Sequence, residues 1–119
     1  MITGIGVDLI EIGRVVKACQ KESFLKRCYT EPEINMIHTD IKKAADNFAV
    51  KEAVSKMLGT GFRSFSMTDI EVLRDLEGKP YVNLYGNAAV LAKQQGTAQI
   101  HVSISNTKEY ANAFVVGEA

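Results

Sequence analysis

Residues 40–59 read DIKKAADNFAVKEAVSKMLG, the most informative helical pattern in the chain. Asp40 is a residue type that caps helices and Gly59 is the type that ends them, so we predict a helix over 40–58. One apolar stripe repeats at i, i+4 and i+7 and comprises Ile41, Ala45 and Phe48. A second apolar face comprises Val50, Val54, Met57 and Leu58. A helix that is apolar on two sides is predicted to be sandwiched, either within a core or against another subunit.

Glu52 occupies the next position on the first apolar stripe. A carboxylate there would lose solvation, which costs free energy unless a cation or hydrogen bonds compensate. Two interpretations are open at this point. Glu52 pairs with Lys56 one turn later, which at a surface is worth only about 0.3–0.5 kcal/mol. Alternatively, Glu52 belongs to a functional site that binds a cation.

Residues 2–10 alternate as a strand whose two faces differ in kind. Gly4, Gly6 and Asp8 share one face, and the other carries Thr3, Ile5, Val7 and Leu9. Glycines in a strand permit close approach by another backbone or a ligand. Taken alone, Asp8 can be interpreted as a residue that caps the strand end or begins a turn. Together with Glu52 it suggests Mg²⁺, which proteins commonly hold by one or two carboxylates plus water and phosphate oxygens.

The rest of the chain predicts one α+β domain, 1–119, in which an antiparallel sheet packs on the long helix. Thr30 and Glu33 form a capping box that opens a short helix. The remaining predicted elements are a helix over 11–21, a loop over 60–68, a hairpin of strands 70–76 and 81–84, a helix over 87–95, and strands 100–105 and 111–116.

Composition limits the classes of function. The 119 residues carry 14 basic and 14 acidic side chains, which argues against a whole-surface nucleic-acid binder. Cys19 and Cys28 fit no zinc motif and are interpreted as packing residues in a reducing compartment. No apolar run has the roughly 18 residues needed to span a bilayer, and the first residues do not resemble a signal peptide. We therefore expect a cytoplasmic protein that binds neither nucleic acid nor membrane.

Basic side chains follow the first strand at helical spacing. Arg14, Lys17 and Lys21 lie at i, i+3 and i+7, and Lys26 and Arg27 come after them. This pattern fits either a solvated helix face or a docking surface for an acidic partner, where such charges act mainly on encounter rate and specificity.

Two other features carry weaker signals. His101 shares a strand face with Ser103 and Ser105, but a lone histidine is more often structural, and no acid completes a nucleophilic triad. Residues 59–61 read GTG, which is too short for a phosphate-binding Walker loop. Acyl-enzyme chemistry and Walker-type nucleotide binding are therefore not expected.

The chain closely resembles the holo-acyl-carrier-protein synthases, the small bacterial members of the 4'-phosphopantetheinyl transferase superfamily. The resemblance covers essentially the whole chain. The signature block FAVKEAVSK at 48–56, joined to the G-x-D strand, is its most specific part. The other matching segments are GTG at 59–61, GIGVDLIE at 4–11 followed by Arg14, GKP at 78–80 and HVSIS at 101–105.

The resemblance implies an α+β homotrimer that binds coenzyme A in clefts between subunits. Such an enzyme transfers 4'-phosphopantetheine from coenzyme A to a serine of apo-acyl carrier protein for fatty acid biosynthesis and releases 3',5'-ADP. Asp8 and Glu52 would be Mg²⁺ ligands, Lys56 would reach the diphosphate, and all three would be catalytic. Glu52 or a water at the metal would accept the serine proton. The remaining coenzyme A-binding residues implied are Gly59, Gly61, His101 and Ser103, and the carrier-docking residues are Arg14, Lys17 and Lys21.

Two positions depart from the family pattern. Many members have arginine just before the signature phenylalanine, where it helps to hold substrate phosphate, and this chain has Asn47. We expect weaker coenzyme A binding or a substitute role for Lys42 and Lys43. Many members also have histidine where this chain has Asn106, so no catalytic role is expected there. The departures keep open a non-catalytic module that binds a carrier protein or a nucleotide on the same fold.

Overall fold

The computed structural model describes all residues, 1–119, and has five strands and five α-helices. In chain order these are β1 (Ile2–Glu11), α1 (Ile12–Ala18), α2 (Glu22–Cys28), α3 (Glu31–Thr39), α4 (Lys42–Leu58), β2 (Ile70–Arg74), β3 (Pro80–Leu84), α5 (Gly86–Gln94), β4 (Gln99–Asn106) and β5 (Tyr110–Glu118). Short 3₁₀ turns over Gly61–Arg63 and Met67–Asp69 occupy the predicted loop. No helix is both long and apolar enough to cross a bilayer.

The strands form two antiparallel sheets, one in the order β1-β5-β4 and the other a β2-β3 hairpin. Helix α4 packs across β1 and β5 and also contacts α1, α3 and β2. The prediction of an α+β fold with an antiparallel sheet on a long helix is confirmed. Twelve of the seventeen residues of α4 are buried, and they include the whole second apolar face. The first stripe is buried only at Ala45, since Phe48 is partly exposed and Ile41, just before the helix, is 44% exposed.

The glycine face of β1 explains how closely the strand approaches α4. A methyl group on Gly6 would overlap the carbonyl oxygen of Ala53, and one on Gly4 would lie 2.6 Å from the carbonyl oxygen of Met57. Both glycines are therefore required by a neighbouring backbone, one of the two possibilities that the sequence left open. This close contact sets the position of β1 on α4, and with it the position of Asp8.

The polar part of the core joins α3, α4 and β2. Lys51 and Glu33 have no solvent exposure, and the Lys51 Nζ lies 2.8 Å from the Glu33 Oε1. The same Nζ donates to the backbone carbonyls of Met67 and Ile70. Because every buried polar side-chain atom has a partner, this charged pair is accommodated in the core. Lys51, the first of the two lysines in the signature block, is thus structural and does not face a substrate.

Several boundaries differ from the predicted ones. The predicted helix over 11–21 is wrong in extent, since α1 ends at Ala18 and α2 starts at Glu22 after a short break. Helix α4 begins at Lys42, although Asp40 still satisfies its first turn by accepting a hydrogen bond from the Lys42 N–H at 3.1 Å. Its predicted end is confirmed, because Gly59 adopts the left-handed conformation with φ of 85°.

Two sequence interpretations of local chemistry are also borne out. The Glu33 half of the capping box forms, since the Thr30 N–H donates to the Glu33 Oε1 at 3.0 Å. Cys19 and Cys28 are buried free thiols, and burial raises the pKa of both. Raised pKa values leave little reactive thiolate, which is consistent with packing roles.

Candidate functional site

Asp8 on β1 and Lys56 on α4 meet across the strand–helix contact. The Lys56 Nζ lies 3.0 Å from the Asp8 Oδ1 and donates to the Val7 carbonyl oxygen, also at 3.0 Å. Lys56 is therefore held by β1, and none of the ion pairs in the chain includes Glu52. The interpretation of Glu52 as half of a Glu52–Lys56 pair is wrong for this structure, because the lysine is directed to the strand.

Glu52 lies near the same two side chains in a partly buried position. Burial raises the pKa of Glu52 above its ordinary value, the charge of Asp8 raises it further, and Lys56 opposes both effects. Loss of solvent and a second carboxylate both destabilise the ionised form of a carboxyl group. The negative charge of Glu52 is therefore not fully compensated by its surroundings. The arrangement therefore favours an added cation beside Glu52 and Asp8.

These two carboxylates fit a hard divalent ion. Carboxylate oxygens are ligands that Mg²⁺ prefers, and the unmet charge of Glu52 gives the ion something to neutralise. No group of three or more His, Cys, Asp and Glu side chains gathers in the chain. A metal held by Asp8 and Glu52 would thus need water or substrate oxygens for its remaining positions, an arrangement common for Mg²⁺ sites that bind phosphates.

The residues just after α4 lie close in sequence to Lys56. Gly59 and Gly61 have φ of 85° and 62°, a region that favours glycine. Gly59 ends the helix, so its conformation has a structural cause. The Thr60 hydroxyl donates to the Gly61 carbonyl oxygen at 3.2 Å, which tightens the turn. These glycines place a short loop one turn beyond Lys56.

His101 and Ser103 do not join the carboxylate pair within one chain. In the sheet, β5 separates β4 from β1, and Asp8, Ala113 and Ile104 pair across the three strands. Because side chains alternate, His101 and Ser103 are on the sheet face opposite Asp8. The His101 Nε2 lies 2.9 Å from the Glu118 Oε1 on β5, the structural pairing that a lone histidine suggested. Any shared site with Asp8 would have to draw these residues from another subunit.

Asn47, which replaces the arginine that holds substrate phosphate in many family members, lies in the core. Its side chain has no solvent exposure, and its Nδ2 donates to the Glu33 Oε2 and the Val72 carbonyl oxygen, both at 3.0 Å. Its Oδ1 accepts a hydrogen bond from the Arg74 Nη2 at 2.9 Å. The amide nitrogen and oxygen of Asn47 are thus both hydrogen-bonded inside the core. Its contact with Arg74 is the only one that leads towards the surface.

Asn106 likewise has a structural partner. Its Nδ2 donates to the two carboxylate oxygens of Asp46 at 2.9 and 3.2 Å, which ties the end of β4 to α4. Arg74 and Asp46 are residues that the sequence interpretation missed. Each lies far along the chain from its partner, 27 residues in one case and 60 in the other, so no local periodicity indicates either contact.

The basic stripe is exposed beside two cavities. Arg14, Lys17 and Lys21 are all exposed and line a cavity of about 500 Å³. Arg14 also borders a more apolar cavity of about 450 Å³, whose lining includes Leu9, Val15, Phe24, Phe48 and Tyr110. A basic rim next to an apolar recess is suited to a partner that offers both acidic and apolar side chains.

An α+β chain with a carboxylate pair and a lysine at a strand–helix contact matches a known class of small transferase. Residues 4–115 match the family described as the 4'-phosphopantetheinyl transferase superfamily. The holo-[acyl-carrier-protein] synthase of Lachnoclostridium phytofermentans is 63% identical over 118 residues, covering 99% of this chain and 97% of that protein.

Solved structures agree with this assignment. The crystal structure of holo-[acyl-carrier-protein] synthase from Neisseria meningitidis superposes with a TM-score of 0.90 at 30% identity and covers 100% of both chains. The Bacillus anthracis holo-(acyl-carrier-protein) synthase, solved in complex with CoA (3',5'-ADP), has a TM-score of 0.82 at 38% identity over 100% of this chain and 98% of that one. This chain belongs to the 4'-phosphopantetheinyl transferase superfamily, and its similarity to holo-acyl-carrier-protein synthases extends over its whole length.

Proposed function

We propose that this protein transfers 4'-phosphopantetheine from coenzyme A to a serine hydroxyl of apo-acyl carrier protein in support of fatty acid biosynthesis. The serine oxygen forms a bond to the phosphorus that carries the pantetheine arm. The bond from that phosphorus to the oxygen shared with the second phosphate breaks, and 3',5'-ADP leaves. The observation that carries the proposal is the Asp8, Glu52 and Lys56 cluster in a chain 63% identical to a holo-[acyl-carrier-protein] synthase.

Asp8 and Glu52 would hold Mg²⁺, which when bound neutralises charge that develops on phosphoryl oxygens. Lys56 lies next to this pair and is mostly exposed on its side chain, so its ammonium is available to a diphosphate. Glu52, or a water at the metal, would accept the proton of the serine hydroxyl. The loop at Gly59 and Gly61 lies beyond Lys56, where it would border the coenzyme.

The direct test measures the mass of the carrier protein before and after the reaction. Incubation of the protein with coenzyme A, Mg²⁺ and an apo-acyl carrier protein is expected to increase the mass of the carrier by one phosphopantetheine arm and to release 3',5'-ADP in equal amount. Omission of Mg²⁺ in the presence of chelator is expected to stop both. Binding of the carrier without a mass increase, for a carrier that a known synthase modifies, would instead indicate a non-catalytic binding module.

The basic stripe is proposed to dock the acidic carrier. Reversal of charge in an Arg14→Glu, Lys17→Glu double variant is expected to raise KM for the carrier about tenfold or more, since like charges across an interface are unfavourable, and to leave kcat nearly unchanged. The matched control is Lys93→Glu, which reverses an exposed charge on α5, outside the stripe.

Steady-state kinetics at two salt concentrations provide the measurement. Wild-type KM for the carrier is expected to rise with salt, and that of the double variant to respond much less, because the attractive charges are gone. Equal KM values for the double variant and the Lys93→Glu control would mean that the basic stripe does not take part in docking the carrier. Lys21 is expected to contribute in the same direction as Arg14 and Lys17.

We propose further that the chain acts as a cytoplasmic homotrimer of one domain per subunit, residues 1–119. Its support is the outer face of the main sheet, where Ile5, Val7, Leu9 and Phe114 are 61%, 49%, 62% and 44% exposed. A contiguous apolar face of this kind marks an interaction surface. Light scattering after size exclusion is expected to give three times 13.1 kDa, about 39 kDa. A monomer at the concentrations used for activity would contradict it.

The trimer would also account for His101 and Ser103. Both lie on this same outer face of the sheet, opposite Asp8, so contact with a neighbouring subunit would bring them towards that subunit's coenzyme. Their proposed role in coenzyme A binding is thus tied to assembly. An assembly-deficient Ile5→Glu variant is expected to lose coenzyme A binding together with the trimer.

A further inference from the structure

Two amide side chains at the two ends of α5 contact the segment that follows α4. The Gln95 Nε2 donates to the carbonyl oxygen of Leu58, the last residue of α4, at 2.8 Å. The Asn87 Nδ2 donates to the Ser64 carbonyl oxygen at 3.1 Å. Residues 59–65, which begin with the sequence GTG, are called the GTG loop below. Helix α5 therefore contacts the chain just before this loop and again near its end.

Few other polar contacts hold the GTG loop. No backbone hydrogen bond joins residues 60–65 to another element of the fold. The Thr60 hydroxyl and the Arg63 Nε both donate to carbonyl oxygens within the loop. Phe65 is buried and attaches the loop to the core through apolar contacts. The amide of Asn87 thus makes the one hydrogen bond between residues 60–65 and the rest of the chain.

The contact of Gln95 satisfies one of the free carbonyls at the end of α4. The last four carbonyls of an α-helix have no partner within the helix. Two of those in α4, on Ser55 and Lys56, accept hydrogen bonds from the Gly59 N–H. The Leu58 carbonyl points to α5 and accepts from Gln95. This contact fixes the direction in which the chain leaves α4, and with it the position of the GTG loop relative to Lys56.

Helix α5 is itself anchored at both ends, so it can act as a rigid support. Its nine residues span about 13 Å. Before the helix, the Tyr85 N–H donates to the Asp69 carbonyl oxygen at 2.8 Å. After it, the Ala98 N–H donates to the Glu118 carbonyl oxygen of β5, also at 2.8 Å. Because both ends of α5 are fixed, its two amide side chains hold the two ends of the GTG loop at set positions.

We propose that Gln95 and Asn87 are positioning residues that hold the GTG loop ready for coenzyme A. The proposal rests on the proposed function, which places Gly59 and Gly61 beside the coenzyme. Each amide acts through the backbone of the loop and does not touch the coenzyme. A loop that is already held in its bound position spares the ligand the free-energy cost of ordering it. Loss of either amide is therefore expected to weaken coenzyme A binding.

Steady-state kinetics test the role of Gln95. Gln95→Met keeps the length of the side chain but removes the donor, and it is expected to raise KM for coenzyme A about three- to tenfold, the value of one hydrogen bond. We expect kcat and KM for the carrier to stay nearly unchanged, because neither the carboxylate pair nor the basic stripe is altered. The matched control is Gln94→Met, which changes the exposed preceding residue and should keep all three values.

A variant that restores the donor separates the hydrogen bond from the shape of the side chain. Gln95→Lys can donate to the Leu58 carbonyl oxygen, as lysines near helix C-termini do, and is expected to bring KM for coenzyme A back close to the wild-type value. Gln94→Lys adds the same charge without the contact, so it measures any direct attraction between the new charge and the coenzyme. Asn87→Leu is expected to act in the same direction as Gln95→Met, and the double variant to exceed either.

Limited digestion with trypsin reports on the loop itself, without an activity assay. Arg63 is exposed within the GTG loop, and proteases cleave segments that open locally. Cleavage after Arg63 is expected to be several times faster in Gln95→Met than in the wild-type protein, and to stay at the wild-type rate in Gln94→Met. Saturating coenzyme A is expected to slow this cleavage in every variant, because the ligand holds the loop closed.

The outcomes are distinguishable. A wild-type KM for coenzyme A in the Gln95→Met, Asn87→Leu double variant would overturn the positioning role and leave the proposed function standing. An equal rise in KM for the carrier, or a lower melting temperature with unchanged cleavage after Arg63, would indicate a general structural effect and would also overturn it. If the wild-type protein does not bind coenzyme A, the proposed function itself fails, and the positioning role fails with it.

Discussion

The Glu52→Gln variant is expected to transfer phosphopantetheine about a thousandfold more slowly than the wild-type protein, as a fall in kcat. A bound metal contributes several kcal/mol of charge stabilisation in the transition state, and each 1.4 kcal/mol is about tenfold in rate. An amide is nearly the same size as the carboxylate but carries no charge, so the fold and the Lys56–Asp8 contact are expected to persist. The measurement is single-turnover transfer to the carrier at saturating Mg²⁺.

The same substitution is expected to stabilise the metal-free protein at neutral pH. Burial and Asp8 raise the pKa of Glu52 in the folded state, so the folded protein holds this proton more tightly than the unfolded chain. The contribution of the Glu52 proton to the free energy of unfolding is therefore complete below the pKa of Glu52 in the unfolded chain. It is lost as pH rises through the pKa of Glu52 in the folded protein. At pH 7 the ionised Glu52 is a cost that glutamine removes, whereas at pH 4 the two proteins should melt alike.

Thermal unfolding with and without Mg²⁺ completes the test. Mg²⁺ is expected to raise the melting temperature of the wild-type protein, because it binds the folded state, and to have little effect on Glu52→Gln. The matched control, Glu77→Gln, changes an exposed carboxylate in the β2-β3 turn and should behave as wild type in every assay. Wild-type rates in Glu52→Gln would refute the assignment of Glu52 to the metal.

The parts of this structure that sequence could predict are those with a local physical cause. The end of α4 follows from Gly59, the capping of α3 from Thr30 and Glu33, and the unusual position of Glu52 from its place on an apolar stripe. The glycines of β1 likewise indicated close approach before any partner was known. Each of these signals lies within about one helical turn, or a few strand residues, of the feature it predicts.

Features that depend on distant contacts could not be predicted in this way. Lys51 is next to Glu52 in sequence, yet it lies in the core because Glu33, 18 residues earlier, meets it there. Asn47 was expected only to weaken coenzyme A binding, because many family members have a phosphate-holding arginine at this position. Its burial depends on β2, whose position over α4 no periodicity specifies. Arg74 was missed for the same reason.

The register of the main sheet explains why some predicted site residues are together and others are apart. Alternation along β4 correctly placed His101 and Ser103 on one face. It gave no information on whether that face also carries Asp8, since this depends on the strand order β1-β5-β4 and on the pairing of Asp8 with Ala113. The trimer proposed above would therefore leave, in one chain, two half-sites on opposite faces of the sheet.

The contact between β1 and α4 is the feature on which both the fold and the carboxylate pair depend, and Gly6→Ala is expected to break it. The added methyl group would overlap the Ala53 carbonyl oxygen and lie 2.9 Å from the Met57 backbone nitrogen. Both neighbours are backbone atoms of the buried helix α4, so neither can rotate away as a side chain could. The expected loss is about 3 kcal/mol or more in the free energy of unfolding, at the upper end of overpacking effects.

Gly13→Ala is the matched control, since the same methyl group there would meet no atom within 4 Å. Because Gly13 is in α1, alanine is expected to leave stability unchanged or to raise it by up to about 1 kcal/mol. Urea unfolding followed by circular dichroism measures both changes. Equal midpoints for the two variants would mean that β1 does not lie against α4. A displaced β1 would also carry Asp8 away from Lys56, so Gly6→Ala should lose Mg²⁺ binding even where enough of it remains folded to be measured.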